Sequence, residues 1–303
     1  MSSPYVRRRR LADELIKLRE EHGYTADGLA AATGLSKQRI SRLMRCRVRP
    51  NLDEIMRVLD HFEVGHERGQ AIMDVACDAQ ERGWWERKAT EMGLRQALYA
   101  DLEWGAAKIC EYQLTFLPGL LQIPSFTEAR IRADQTIYQT TFDADSALEA
   151  RRTRQAFLQQ PDGPDYEVVI DELALRRMAA PVRVVAAQLD HLVDLGHHHD
   201  RLCIRVLRTD AHIDGHAVPR SAFSIYRYPD RDDPVVVAVD TATSDLVLTD
   251  HKDVGPYLAL YSRLKDAALT QSDSLDFLAA LAEKLPHETE GLVDHGADVL
   301  GLA

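Results

Sequence analysis

Apolar residues recur at the three- and four-residue spacing of a helix through residues 1–65. Thr25 and Ser36 stand where they can cap two short helices, and Gly34 separates the two. A further amphipathic helix follows the turn at Pro50. The pattern therefore predicts a compact bundle of at least four helices in residues 1–65.

The helical pattern continues through residues 66–110, which we interpret as a helical connector that extends as far as Cys110. After the breaker at 161–164 the apolar period changes to two, which is typical of strands. The predicted strands are 166–170, 202–207, 222–228, 235–239 and 246–248. We therefore predict an α+β domain with a mostly antiparallel sheet at 111–285, followed by a flexible tail at 286–303.

The two short helices of the bundle have the spacing of a helix-turn-helix. Small Ala30 lies four residues before Gly34, and it lets two helix axes approach while the glycine permits a left-handed turn. Ile40 and Leu43 are placed to pack back against the first helix. A plain helical hairpin is the structural alternative to a DNA-binding motif.

The second of these helices has a polar face that suits base recognition. With Ile40 and Leu43 inward, the 100° step per residue turns five side chains outward or to the exposed end: Lys37, Gln38, Ser41, Arg42 and Arg45. Glutamine can bond adenine in two places, and arginine can do so with guanine, each for about 1–3 kcal/mol of discrimination. The alternative is a solvated polar face, as on any surface helix.

Further arginines surround this face in the sequence. They are Arg7, Arg8, Arg9, Arg10, Arg47 and Arg49. We interpret them as candidate phosphate contacts, which position a protein on DNA without reading its sequence. For the first four, a solvated helix entry explains the sequence equally well. Four phosphate contacts per subunit would give a dimer a logarithmic salt slope of roughly −7.

Charge is divided unevenly along the 303 residues. The chain has 45% hydrophobic and 28% charged residues, which excludes a disordered chain and a collagen-like repeat. Its net charge is −11, but residues 1–64 hold 13 basic and 9 acidic residues, whereas the rest holds 24 and 39. A basic head and an acidic body predict two domains with different partners, and the body would face away from DNA.

Cysteine usage and hydropathy indicate a compartment. The four cysteines are widely separated and form no CxxC pair, which is typical of reduced thiols in the cytosol. No run of about 18 apolar residues occurs, so we expect a cytoplasmic protein that does not span a membrane. Short catalytic signatures are also missing from the sequence. We therefore expect neither an enzyme nor a cofactor.

A few residues of the body are candidates for ligand contact. Trp84 and Trp85 could line a ligand pocket, although a tandem tryptophan is more often core packing. Glu111 and Tyr112 are further candidates of open role. Asp171 precedes a helical stretch and could cap it or do acid–base work. The histidines at 197–199 invite a metal site, but a solvated loop is the simpler interpretation.

Two parts of the chain resemble known families. The head, seen in "RRRRLADELIKLREEHGYTADGLAAATGLSKQRISRLMRCRVRP", resembles the lambda-repressor-like, XRE-type helix-turn-helix domain over residues 7–64. The resemblance implies an all-α DNA-binding head before the larger α+β domain. It places Ser36, Lys37, Gln38, Ser41 and Arg42 where family members contact DNA. Ala26, Met44 and Cys46 depart from the family pattern, in which glutamine, glutamate and glycine are common.

The body is similar to the C-terminal domain of actinobacterial regulators of the WhiJ-like type. The similarity rests on "RGWW" at 82–85, "KICEYQLTFLPGLLQIPSFTEARI" at 108–131, "VVIDELALRR" at 168–177 and "SDSLDFLAALAEKL" at 272–285. It implies a transcription regulator, sometimes encoded beside a small partner protein, and no reaction.

The sequence as a whole thus predicts a sequence-specific regulator of transcription that binds double-stranded DNA. We expect the body to support a homodimer and to sense a small molecule or a small protein partner. Two alternatives stay open. The body could be an interaction module on which a small protein docks and relieves DNA binding, or it could be an enzyme tethered to DNA.

Overall fold

The computed structural model describes residues 3–138, 143–241 and 245–288. Its helices are α1 (Pro4–Glu21), α2 (Ala26–Thr33), α3 (Lys37–Met44), α4 (Leu52–His61), α5 (His66–Gln80), α6 (Trp84–Met92), α7 (Leu94–Glu103), α8 (Pro124–Tyr138), α9 (Ala144–Leu158), α10 (Glu172–Arg176), α11 (Val182–His198), α12 (His251–Ala267) and α13 (Gln271–Glu288). Its strands are β1 (Lys108–Gln113), β2 (Asp165–Asp171), β3 (Leu202–Leu207), β4 (Phe223–Arg227), β5 (Val236–Val239) and β6 (Leu246–Leu248). The predicted tail lies outside the described residues from 289 onward.

Side-chain caps define the short helices of the head. The Thr25 hydroxyl accepts a hydrogen bond from the Gly28 N–H at 3.0 Å, and the Ser36 hydroxyl accepts one from the Arg39 N–H at 3.1 Å. Gly34, between α2 and α3, has the left-handed φ of +68° that the turn requires. Both predicted caps and the predicted turn are therefore confirmed.

Helices α1 to α5 share one apolar core. Its buried members are Leu11, Leu15, Leu18, Leu29, Ala30, Ile40, Met44, Ile55, Val58, Leu59, Phe62, Ile72, Val75, Ala76 and Ala79. The last four lie on α5, so the first helix of the predicted connector packs within the same core as α1. Burial of this set is what holds the crossed helices together, since each short helix is marginal alone.

The strands form one six-stranded sheet of mixed direction, in the order β3-β2-β1-β4-β5-β6. Strands β2 and β3 are parallel, with Tyr166 opposite Leu202 and Asp171 opposite Leu207. Strands β5 and β6 are antiparallel, with Val237 opposite Leu248. An α+β domain after a helical head is thus confirmed, with both strand directions in its sheet.

One sequence prediction is wrong at the entry to this sheet. The helical pattern was expected to reach Cys110, but β1 begins at Lys108. Residues 109–112 are all buried and show no alternation. Strand β2 is buried just as continuously, but the breaker at 161–164 marks its start. A second correction concerns 197–199, because α11 continues through His198 where a solvated loop was expected.

The chain divides into two compact units. Unit 1 comprises Met1–Ile109, Asp145–Asp165 and Ser224–Tyr257, so it contains the helical head. Unit 2 comprises Cys110–Ala144, Tyr166–Phe223 and Leu258–Ala303. Each is described by itself below.

Candidate nucleic-acid interface

Helix α3 is held in place from its inner side. Ile40 is 2% exposed and Leu43 is 5% exposed, as the predicted packing of the second helix against the first requires. Arg39 adds a polar anchor that the spacing did not predict. Its Nε donates to the Glu54 carboxylate of α4 at 2.7 Å, and its Nη2 donates to the Arg49 carbonyl at 3.0 Å. Arg39 is therefore an arginine of α3 that serves the fold.

The opposite face of α3 is open to solvent. Lys37, Gln38, Arg42 and Arg45 are exposed, and Ser41 is half-buried. Among the residues that the structure describes, the side chains of Gln38, Arg42 and Arg45 take no hydrogen bond and no ion pair. Lys37 Nζ lies 2.5 Å from the Asp27 carboxylate, but both side chains remain exposed. The Ser36 hydroxyl is already used as the helix cap.

The C-terminal end of α3 closes with a left-handed residue. The Cys46 N–H donates to the Leu43 carbonyl at 3.0 Å and the Arg47 N–H donates to the Arg42 carbonyl at 2.8 Å, the pair of bonds of a Schellman motif. Cys46 itself has φ +55°, a conformation that favours glycine. Its departure from the family pattern therefore leaves the helix ending intact. Burial raises the pKa of the Cys46 thiol, so the thiol stays protonated at neutral pH.

Two arginines of α1 are engaged by carboxylates. Arg10 Nη1 lies 2.5 Å from the Asp230 carboxylate, and its Nη2 lies 3.1 Å from that of Asp232. Arg7 Nη1 lies 3.2 Å from Asp230 and 3.5 Å from Asp233, and its Nε lies 3.4 Å from Asp78 of α5. The Arg7 side chain is 12% exposed and the Arg10 side chain is 15% exposed. The structure thus places both among acidic side chains.

Of the other four candidate phosphate contacts, three are also paired with a carboxylate. Arg8 pairs with Asp101 at 3.4 Å and Arg9 pairs with Asp13 at 3.5 Å. Arg49 pairs with Glu86 of α6. Arg47, directly after the α3 ending, is exposed. Of the six candidate phosphate contacts, Arg47 is therefore the one the structure leaves most open.

Comparison with known proteins adds to this geometry. A family model described as a domain of unknown function, DUF5753, matches residues 96–280. The chain belongs to the DUF5753 family. A second model, described as a helix-turn-helix domain, matches residues 10–70 of this DUF5753 protein. No curated protein and no solved structure matches it. The helix-turn-helix prediction is confirmed, and such a domain indicates a DNA-binding regulator.

The tandem tryptophan of this DUF5753 protein is core. Trp85 is 2% exposed and lies edge-on to Trp84, with ring centroids 6.0 Å apart. Trp85 also packs against Trp104 at 5.7 Å, and Trp104 stacks on Phe157 at 5.4 Å. All four aromatic residues belong to unit 1. The structure therefore places Trp84 and Trp85 in an aromatic cluster. This agrees with core packing, which the sequence leaves open as the alternative to a ligand pocket.

Glu111 and Tyr112 belong to a hydrogen-bonded network inside unit 2. The Tyr112 hydroxyl donates to the Asp171 carboxylate at 2.9 Å, and burial together with Asp171 raises the pKa of that hydroxyl. Asp171 also accepts from the Leu173 N–H at 2.9 Å, so it caps α10. Glu111 accepts from the Tyr166 hydroxyl and from the Gln113 amide. These contacts satisfy the two candidates internally.

The PGLLQ segment at 118–122 is fixed by two buried glutamines. Gln122 donates to the Leu117 carbonyl at 2.8 Å. Gln188 of α11 donates to the Leu121 carbonyl and accepts from the Ile123 N–H, both at 2.7 Å. Sequence reasoning missed Gln188, since its only local signal is one polar residue in an apolar stretch. The segment is therefore a clamped turn.

Within residues 3–138, 143–241 and 245–288, no group of three or more His, Cys, Asp or Glu side chains is arranged to hold a metal ion. Within the same residues, no helix combines the length and apolar character needed to cross a membrane.

Proposed function

We propose that this protein is a cytoplasmic, sequence-specific regulator of transcription that reads base edges with α3. One observation carries the proposal: Gln38, Arg42 and Arg45 project unpartnered from a helix whose other face is buried in a helix-turn-helix. An α-helix fits the major groove of DNA, where glutamine and arginine have bidentate partners on adenine and guanine. Arg47 and Lys37 flank this face and would contact phosphates.

The proposal includes a homodimer. A single head presents few base contacts, and two heads on half-sites about 10 bp or a multiple apart would supply the specificity that one lacks. The similarity of the body to WhiJ-like regulators supports a role for the DUF5753 domain in receiving a signal. A small molecule or a small protein partner would shift DNA affinity by binding one form of the regulator more tightly than the other.

Selection from random duplex DNA at near-physiological salt tests this function. Wild type is compared with Gln38→Ala/Arg42→Ala and with the matched control Arg57→Ala/Gln70→Ala, whose exposed side chains lie on α4 and α5. We expect one enriched motif for wild type and control, and a weakened or relaxed motif for the α3 variant. A motif unchanged in the α3 variant, or no motif for any protein, contradicts the proposal.

The same experiment reports the oligomer. A motif with two symmetric half-sites supports the homodimer, and analytical ultracentrifugation with and without the selected duplex measures it directly. A monomer under both conditions contradicts the dimer while leaving base recognition by α3 intact.

A further inference from the structure

The arginine run of α1 begins beside the end of the recognition helix. The Cys46 thiol, at the end of α3, donates a hydrogen bond to the Arg8 carbonyl at 3.5 Å. This contact places the first turns of α1 next to Arg45 and Arg47. Arg7 and Arg10, three residues apart, share a face of α1. The two residues therefore flank, in sequence, the Arg8 carbonyl that contacts the end of α3.

An acidic loop already occupies these two guanidinium groups. It is the segment from Asp230 to Asp233, between β4 and β5, which we call the acidic loop. It makes five ion pairs of 3.5 Å or less with Arg7 and Arg10. The Asp233 side chain is fully buried, and both arginines are mostly buried. The pairs with Asp233 are therefore unlike the exposed pairs that contribute little, whereas Asp232 is itself exposed.

We propose that the acidic loop is an autoinhibitory phosphate mimic, which withholds Arg7 and Arg10 from DNA. The inference rests on the proposed function. Carboxylate and phosphate oxygens take the same paired N–H donors of a guanidinium, so loop and DNA backbone compete for them. While the loop is bound, the head binds DNA without these two contacts, and release of the loop adds them.

Binding of the selected duplex by loop variants tests this competition. Asp230→Asn/Asp233→Asn keeps the shape and the turn but removes the charges. We expect it to bind about 10-fold more tightly than wild type at 100 mM salt. The logarithmic salt slope should steepen by about 2 per chain, since each added phosphate contact contributes about 0.9. Asp162→Asn/Asp200→Asn is the charge-matched control, because both carboxylates are exposed and make no described side-chain contact.

A second pair of variants asks whether the gain passes through the arginines. Arg7→Gln/Arg10→Gln should change the affinity of wild type less than about 2-fold, because the loop already holds both residues. Added to Asp230→Asn/Asp233→Asn, the same two changes should abolish the whole gain. Because Asp233 is buried, Asp230→Asn/Asp232→Asn is tested as well, and we expect a gain of about 3-fold from it.

The outcomes separate the two proposals. If wild type binds a specific motif and the loop variants gain nothing, or the control variant gains as much, the autoinhibitory contact is overturned and base recognition by α3 stands. If the gain survives Arg7→Gln/Arg10→Gln, the loop acts elsewhere and the inference is again wrong. If no protein binds any duplex, the proposed function fails and the inference fails with it.

Discussion

The exposed face of α3 and the first turns of α1 are both rich in arginine, yet the structure uses them differently. Arg42 of α3 and Arg45 at its C-cap project into solvent without a described partner, whereas Arg7 and Arg10 of α1 lie among four carboxylates. The sequence favours both regions as DNA contacts, but it does so for α3 through the spacing of a helix-turn-helix and for α1 through basic density alone. What distinguishes them is whether a carboxylate already satisfies the guanidinium donors.

The largest expected effect tests whether the start of α1 is structurally docked. The Asp101 carboxylate of α7, 6% exposed, accepts from the Ser3 hydroxyl at 2.7 Å and the Tyr5 N–H at 3.1 Å, and pairs with Arg8. Asp101→Ala leaves these buried donors unsatisfied. We expect the free energy of unfolding to fall by about 2–4 kcal/mol, since hydrogen bonds to buried charges are worth about 1.5–3 kcal/mol.

Thermal or urea unfolding measures this loss, with Asp162→Ala as an exposed control that should change stability by less than about 0.5 kcal/mol. Equal stability of the two variants would show that α1 is not held at its first turn. The arginine run would then be a solvated helix entry, one of the two interpretations that the sequence allowed.

The next effect concerns binding and not stability. Arg42→Ala removes an exposed, unpartnered side chain, so we expect unchanged unfolding and a loss of about 1–3 kcal/mol in affinity for the selected duplex. Arg57→Ala, an exposed arginine on α4, is the matched control. Titration of the duplex by fluorescence anisotropy separates the two variants. Equal affinities would mean that α3 does not present Arg42 to a base.

The features that sequence reasoning predicted are local ones. Thr25, Gly34 and Ser36 form hydrogen bonds or a turn within three or four residues of their own positions. Their spacing therefore predicts the helix-turn-helix without reference to the rest of the chain. The polar face of α3 follows from the same periodicity. The five strands that the sequence predicts have bounds that differ from the observed ones by one residue or less.

The features that it missed depend on distant partners. Arg7 and Asp230 are 223 residues apart in sequence, and Arg8 and Asp101 are 93 apart, so no local pattern pairs them. Strand β1 was missed because burial at 109–112 removes its alternation while the helical pattern leads into it, whereas the breaker at 161–164 marks the start of the equally buried β2. The Gln188 clamp on the PGLLQ segment likewise depends on a contact across 65 residues or more. The roles of these residues depend on contacts with residues far away in the sequence, which local composition does not encode.

The pH dependence of the acidic loop gives a smaller effect. The backbone N–H of Asp232 and the Arg10 guanidinium hold the pKa of the Asp230 carboxyl below its usual range. A lowered carboxyl pKa adds stability above the unfolded pKa of about 3.9, and that stability is lost as pH falls through the folded value. Asp230 is about one-third exposed, so solvent screening limits the contribution to under about 1 kcal/mol.

Unfolding of wild type and Asp230→Asn between pH 3 and 7 measures this contribution. The difference should be constant from pH 5 to 7 and should decrease as the pH falls below about 4, so the contact with α1 persists at neutral pH. A difference that changes between pH 5 and 7 would point to another titrating group and would separate Asp230 from the arginines.

The smallest effect compares two helix endings. Glu63 closes α4 as Cys46 closes α3, with φ +48° and the same pair of backbone bonds. Glu63 is exposed, so Glu63→Gly relieves a left-handed conformation worth about 1–2 kcal/mol against a glycine entropy cost of about 0.5–1 kcal/mol. We expect a net stabilisation of about 0.5 kcal/mol. Cys46→Gly relieves the same strain but loses the thiol contact to the Arg8 carbonyl, so its stability should stay near that of wild type. Equal gains at both sites in urea unfolding would show that this thiol does not tie the recognition helix to the arginine run.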